Sequence, residues 1–394
     1  MRLEVERKTK LREGFKNTYN LEPELFISSP GRMEIIGNHT DHNHGLAIAA
    51  AVDLDIVAAI RKNDEGIVRA LSEGVNMLIE IDVNDLVYRP EEVGQSIALV
   101  RGVLFRLANK GYKIAGMDLY LDTRIPRGAG VSSSAAYELL FAKAISVLYN
   151  DDAIDKFTLA EAGQYAEVNY FGKPCGLLDQ IAVSYGAISY IDFARIEQPT
   201  VETISYELDH YDIILINTGG SHGNLTDEYE AITDDMREIS RFFKVDYLRE
   251  VDYSSFLKSR PTLYRRIGGR PLLRAMHFFN ENDRVLKVVE CMKKQDERTF
   301  VKLIAQSGAS SYNLLQNYTF AADKDQQLFF AYNWAKTNFR QGAYRVHGGG
   351  FAGTMLAFIP KPLTARFIKA GEVYFGEGNL LKIKIREAGV TLIE

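Results

Sequence analysis

Cysteine is nearly missing from this 394-residue chain: Cys175 and Cys291 are the only two. Two cysteines cannot build a disulfide framework or a four-cysteine zinc site, and their scarcity fits a reducing, cytoplasmic compartment. No run of 18 apolar residues occurs, so no membrane span and no membrane partner is expected. The stretch from Met1 to Lys8 is highly charged and lacks the apolar heart of a secretion signal. Lys+Arg 47 and Asp+Glu 52 are mixed evenly, for a net charge of −5. With no basic cluster, the electrostatic footprint of a nucleic-acid binder is absent as well. Internal repeats, low-complexity tracts and flexible linkers are also lacking.

What is present is an ordinary soluble composition, 46% hydrophobic and 25% charged, at a length that favours two domains. Residues 1–20 read as an amphipathic helix, and Leu25-Phe26-Ile27 as a short strand. The apolar run 45–60, the alternating stretch 77–83 and the alternating Met117-Leu119-Leu121 read as further strands. Helices are expected over 92–111, 133–148 and 158–171, then through most of 226–315 and again over 326–340. Strands are expected at 186–193, 211–217, 343–359 and 380–393. Strands and helices mix without strict alternation, which predicts an α+β protein with a boundary near 195–205, hence domains 1–200 and 201–394.

Three stretches carry the chemistry. In Ser28–Gly45, "SSPGRMEIIGNHTDHNHG", the residues His39, His42 and His44 have the spacing of metal ligands. The run is irregular, however, and no fourth ligand motif accompanies it, so a zinc site is not expected. In Pro126–Leu148, Gly128 and Gly130 let the backbone approach a ligand, and Ser132, Ser133 and Ser134 place hydroxyls at a helix start. The free N–H groups there suit a phosphate, although a plain serine N-cap explains the same pattern. In Ala166–Gly186, Asp179 and Glu167 sit among apolar residues, each a candidate for catalysis or for structure. A Walker A loop is absent, because Gly172-Lys173 is followed by Pro174. The string Gly348-Gly349-Gly350-Phe351-Ala352-Gly353 precedes a strand rather than a helix, which excludes a dinucleotide fingerprint. Its glycines mark close packing of backbone on a loop or ligand.

With these residues in view, the chain resembles the galactokinases, within the superfamily named for galactokinase, homoserine kinase, mevalonate kinase and phosphomevalonate kinase. The likeness is collinear over the whole length. "GRMEIIGNHTDHNHG" is similar to the sugar-kinase signature, "PRGAGVSSSAA" to the phosphate loop and "HGGGFAG" to the C-terminal glycine motif. "AEVNYFGKPCGLLDQ" is similar to the segment with the catalytic aspartate, and "SHGNLTDEY" to one whose His222 and Tyr229 border the sugar pocket. The resemblance implies a ribosomal-protein-S5-like α/β domain followed by a ferredoxin-like domain, with the active site in the cleft. It implies a phosphotransferase with an alcohol acceptor, moving the ATP γ-phosphoryl group to the anomeric hydroxyl of galactose.

Carried over residue by residue, Asp179 is the base and Arg32 neutralises the moving phosphoryl group and keeps Asp179 ionised. Ser134 and Glu167 hold Mg²⁺, in keeping with its preference for hard oxygens. The phosphates lie on Gly128, Ala129, Gly130, Val131, Ser132, Ser133 and Ser134, and Ser72 touches the nucleotide. Asn38, His39, Thr40, Asp41, Gly176 and Tyr229 take the sugar. The assembly expected is a monomer or a weak homodimer, with the sugar and ATP as its partners.

Five positions depart from the family. Asn38 replaces the usual Glu, which leaves room for a different C6 region, such as the acidic one of galacturonate; a kinase for galacturonate or N-acetylgalactosamine is the alternative to galactose. His347 replaces a small residue, and Ala352 replaces a glycine and predicts a shifted turn. His42 and His44 read as polar residues at the cleft mouth. A catalytically silent sugar and ATP sensor is the rival, and the intact Arg32, Glu167 and Asp179 argue against it.

Overall fold

The computed structural model of the chain describes residues 4–75, 77–126, 128–219 and 225–393. Its first part runs α1 (Val5–Tyr19), β1 (Leu25–Ile36), β2 (Leu46–Lys62), β3 (Ile67–Ser72), β4 (Ile79–Asp82), α2 (Ser96–Asn109), β5 (Met117–Thr123), α3 (Ser133–Tyr149), α4 (Lys156–Ala166), α5 (Leu178–Tyr185), β6 (Ile188–Asp192) and β7 (Thr200–Ile204). It continues with β8 (Tyr211–Asn217), α6 (Thr226–Phe242), α7 (Tyr253–Arg266), α8 (Gly269–Lys293), α9 (Glu297–Ser310), α10 (Gln327–Asn338), β9 (Ala343–Val346), β10 (Thr354–Pro360), α11 (Thr364–Phe375), β11 (Leu380–Ile383) and β12 (Thr391–Ile393). None of the described helices is long and apolar enough to cross a membrane.

The first sheet has the order β12-β1-β2-β5-β3-β4, with β6 paired to β2 and β7 paired to β6. Only β3 and β5 run parallel among the described pairings. The 17-residue β2 pairs with β6 over Leu46–Ala50 and with β5 over Ile56–Lys62. Its composition explains the double duty. Ala47 and Ala49 are small enough for Leu178 and Ile181 of α5 to pack on one face, whereas Ile48, Ala50 and Val52 fill the main core on the other.

The second sheet, β11-β8-β10-β9, is antiparallel throughout. The run "YDIILIN" of β8 is apolar on both faces because both are covered. Ile214 and Ile216 pack with Trp334 of α10 and Phe367 of α11, while Ile213 and Leu215 share a core with Phe300 of α9 and with Ile48 of the first sheet. The α+β class is as expected.

Three expectations need revising. The strand at Leu25 does not stop at Ile27; it continues through Arg32 to Ile36, so the arginine stands on a sheet and not in a loop. The 200/201 cut falls inside β7, and β12 carries the far end of the chain back to β1, pairing Phe26 with Ile393 and Ser28 with Thr391. The chain also forms α11, whose sequence gives no strong terminator before Gly376. A buried ion cluster ties the returning segment down. Asp55 of β2 takes hydrogen bonds from Arg7 Nη1 at 2.6 Å, Arg386 Nη1 at 3.1 Å and Ser28 Oγ at 2.5 Å.

Candidate active site

β1 brings Arg32 to the centre of the site, and the loop after β5 is fastened to it. The Arg32 backbone N–H donates to the Val131 carbonyl at 3.0 Å, and its Nη1 donates to the Gly130 carbonyl at 2.6 Å. Gly31 allows this approach, since a Cβ there would meet the Val131 oxygen at 2.7 Å. With these carbonyls turned toward β1, Gly128 and Gly130 take positive φ, +73° and +72°, and so does Ser132 at +54°. No side chain caps the N-terminus of α3. The plain N-cap explanation of the serines therefore fails, and the orphan N–H groups remain for an anion.

Ser132 spends its hydroxyl elsewhere, on Asp179 Oδ2. The same carboxylate is gripped by Arg32, Nε to Oδ1 at 2.6 Å and Nη2 to Oδ2 at 2.5 Å. Burial pushes the Asp179 carboxyl up, but the guanidinium and the hydroxyl outweigh it and hold the group below the usual carboxylate range. Asp179 also lies in the first turn of α5, where the helix dipole favours negative charge.

Glu167 ends α4 at a π-helical turn and is almost fully buried. Its Oε1 accepts from Ser134 Oγ at 3.0 Å and from Lys173 Nζ at 2.7 Å; Oε2 accepts from Gln180 Nε2 at 2.9 Å. One carboxylate and one hydroxyl at a helix start make a hard-oxygen set. That suits a Mg²⁺ ion that keeps its waters and shares phosphates better than a caged metal. The Lys173 ammonium, half exposed, bonds Glu167 at this end of the cleft, and the Glu167 and Asp179 charges hold its pKa up. Ser72 lies beside Leu121 in the parallel β3–β5 pair, at the edge from which the loop departs.

The sugar side is built from the turn after β1. His39, at φ +55°, places Nε2 at 2.8 Å from the Gly349 carbonyl. Burial lowers its pKa to about 4, so the ring is neutral; Nε2–H donates and Nδ1 remains an acceptor. Burial, the Glu34 charge and the Asp179 charge lift the Asp41 carboxyl to about 6, against the pull of the His42 amide. Asp41 lies directly against Gly176, where a Cβ would overlap its carboxylate. Tyr229 donates to the Gly350 carbonyl at 3.3 Å and covers Gly349, so the glycine motif is indeed a close-packing surface.

Two expected sugar contacts are corrected. Asn38 is 1% exposed and its amide is saturated by protein: Nδ2 donates to Glu34 Oε1 at 3.2 Å and Gly348 O at 2.7 Å, while Oδ1 accepts from Asn317 Nδ2 at 2.8 Å. Thr40 is fully buried, its hydroxyl 2.8 Å from the Gly37 carbonyl and 2.7 Å from that of Leu46, so it closes the turn. Nor does Asn38 leave the pocket without a carboxylate, since Glu34 stands beside it.

The other departures resolve simply. Ala352 has no positive φ; Phe351 (+63°) and Gly353 (+90°) make the turn, so the methyl causes no shift. His347 is buried, its Nε2 accepting from the Glu34 N–H at 3.2 Å. The three histidines do not share one point: His39 and His42 meet edge to face with ring centroids 5.6 Å apart, His42 contacts the Asn43 side chain at 2.9 Å, and His44 stacks away from them on Tyr247 at 3.7 Å. His222 lies outside the described residues. Sequence reasoning missed Glu34, Lys173 and Arg345. Only the Gly172-Lys173 pair carried a signal, and it had been tested against the wrong loop.

Residues 13–62 match the family model described as the galactokinase galactose-binding signature, and residues 98–187 match the GHMP kinases N terminal domain. The first span contains Arg32 to Asp41; the second contains the phosphate loop, Glu167 and Asp179. Galactokinase from Streptomyces coelicolor is 29% identical over 381 residues, 95% of either chain. That of Clostridium tetani is 29% identical over 337 residues, 84% of this chain and 83% of its own. The chain is therefore similar to the galactokinases over most of its length. Its fold agrees with that family: Lactococcus lactis galactokinase complexed with galactose matches with a TM-score of 0.83 at 24% identity, over 98% of this chain and 99% of that one. A mevalonate kinase structure matches with a TM-score of 0.64 at 15% identity, over 93% and 100%.

Proposed function

We propose that this protein is a galactokinase-like, ATP-dependent sugar 1-kinase that phosphorylates the anomeric hydroxyl of galactose. The observation that carries the reading is the two-pronged Arg32–Asp179 pair set beside an uncapped helix N-terminus. Phosphoryl transfer asks for positioning and charge neutralisation more than covalent work.

In this reading the γ-phosphoryl group lies between the α3 N-terminus and Arg32, whose charge meets the oxygens as the bond to the β-phosphate breaks. Asp179 aligns the anomeric hydroxyl and takes its proton. A carboxylate held below its usual range is a weak base, so the proton moves late, once the hydroxyl oxygen has begun to bond to phosphorus. Arg32 keeps Asp179 charged until then. Asp41 and His39 Nδ1 accept hydroxyls of the sugar, and Tyr229 shuts the pocket against Gly349. Mg²⁺, held by Ser134 and Glu167, supplies neutralisation of phosphate charge when bound. We place the enzyme in the cytoplasm as a monomer or weak homodimer.

The test is ATP consumption over a panel of monosaccharides, with the product position read by NMR. Sugar-dependent turnover on galactose giving the 1-phosphate supports the proposal; phosphate at any other carbon, or no sugar dependence, sinks it. ATP binding without turnover would leave the sensor reading instead.

A further inference from the structure

β1 carries two charged side chains spaced by two residues, Arg32 and Glu34. Strand geometry sets such positions on one face, about 7 Å apart along the strand. Arg32 marks the reacting end of the cleft through Asp179, so Glu34 stands one step farther along the same wall. Its neighbours are those of the sugar side: Asn38 lies at 3.2 Å, and the Glu34 charge is felt at Asp41.

Glu34 is 6% exposed and its carboxylate is held by hydrogen bonds. Oε1 accepts from Asn38 Nδ2 and from Arg345 Nη2, and Arg345, itself 0% exposed, also grips the Glu34 carbonyl. The other oxygen, Oε2, receives no hydrogen bond from any described residue. It is also absent from the fully enclosed polar atoms that lack a partner, a group that includes Arg345 Nε and His347 Nδ1. A carboxylate oxygen left open beside Asp41, with its twin fixed by two donors, is an acceptor waiting for a donor from a ligand. Asn38 has no such capacity left.

We propose that Glu34 is the specificity-determining residue for the end of the sugar remote from the anomeric carbon. Its Oε2 accepts a hydrogen bond from a hydroxymethyl arm, and Asn38 and Arg345 position it. The arm is read for a donor. A carboxylate there offers only acceptors to an acceptor, so an acidic sugar is excluded rather than admitted, contrary to what the neutral Asn38 suggests by itself. This rests on the sugar-kinase reading above.

The test compares galactose, 6-deoxygalactose, 6-deoxy-6-fluorogalactose and galacturonate, by calorimetric binding and by KM and kcat, in wild type and Glu34→Gln. In wild type the three analogues should bind about ten- to hundredfold more weakly than galactose, in KM more than kcat, as expected for a charged hydrogen bond lost. In Glu34→Gln, whose amide can also donate, the gap to galacturonate should narrow to about threefold or less. KM for ATP serves as the folding control. Where Glu34→Gln does not fold, the wild-type series decides alone: 6-deoxy-6-fluorogalactose, which keeps size but loses the donor, binding as well as galactose overturns the inference. A folded Glu34→Gln that rejects galacturonate as wild type does overturns it too. Binding is measured apart from turnover, so sugars that bind in the stated order yet are never phosphorylated defeat only the kinase reading. Galactose that fails to bind defeats both.

Discussion

Arg32 and Asp179, 147 residues apart in sequence, meet as a parallel fork at 2.6 and 2.5 Å. One partner stands on a strand and the other in the first turn of a helix, so neither can shift without its element. The fork fixes where a hydroxyl must arrive, because the carboxylate has little freedom to follow it.

Asp179→Asn should retain ATP binding and lose turnover by about a hundred- to ten-thousand-fold, the range for removal of a proton acceptor. The amide keeps the shape but cannot take the proton. Nucleotide titration and steady-state kinetics on one preparation check this; wild-type turnover in the variant would refute the role.

Asp41 predicts the pH dependence of sugar binding. Its folded-state carboxyl titrates near 6, above the ordinary aspartate value of about 3.9. The ionised form is thus the strained one in the free protein. The stability contributed by this group is fully present below about pH 4 and is lost as pH rises through 6. Sugar hydroxyls favour the ionised form, so affinity should rise with pH through about 6 and level off above. Calorimetry from pH 5 to 8 on Asp41→Asn should give weaker binding without that limb.

Gly176→Ala should strike the sugar and spare the nucleotide. Its Cβ would occupy the space of the Asp41 carboxylate. Displacing that acceptor should raise the sugar KM about tenfold or more, with KM for ATP unchanged. Equal shifts in both constants would mean that the change is a general loosening.

Asp55→Ala tests the anchor of the returning segment. It would leave Arg7 and Arg386 buried without their shared carboxylate. Removing one partner of a buried ion cluster costs about 3–5 kcal/mol. Chemical denaturation should read that loss, while Asp55→Asn, still able to accept from Ser28, should lose less.

Much of this site was legible because its chemistry is crowded into short motifs. The structure brings Arg32 to Asp179 and Ser134 to Glu167, two pairs that the family resemblance had put in one site. Direction was not legible. Asn38 and Thr40 belong to the right loop but face into the protein, since a turn sends successive side chains different ways and no period reports which. Glu34 carries no signal of its own in the sequence; only the pairing with Arg345 and Asn38 brings it to notice. Lys173 was hidden by being the wrong half of a different motif. In the fold, alternation and apolar runs marked most strands, but not the joining of β12 to β1, because partners at opposite ends of a chain leave no local pattern.

That joining has a consequence for how the protein is made. β1 bears Arg32 and Glu34, and its far side is completed only by residues 391–393. While the chain is still emerging from the ribosome, the strand that carries the reacting arginine has an open edge and awaits a neighbour not yet synthesised. The first sheet, complete in nearly every other strand by residue 204, is therefore among the last parts to close. Activity in a nascent chain should appear as a step once residues 391–393 have emerged rather than when the first half is finished.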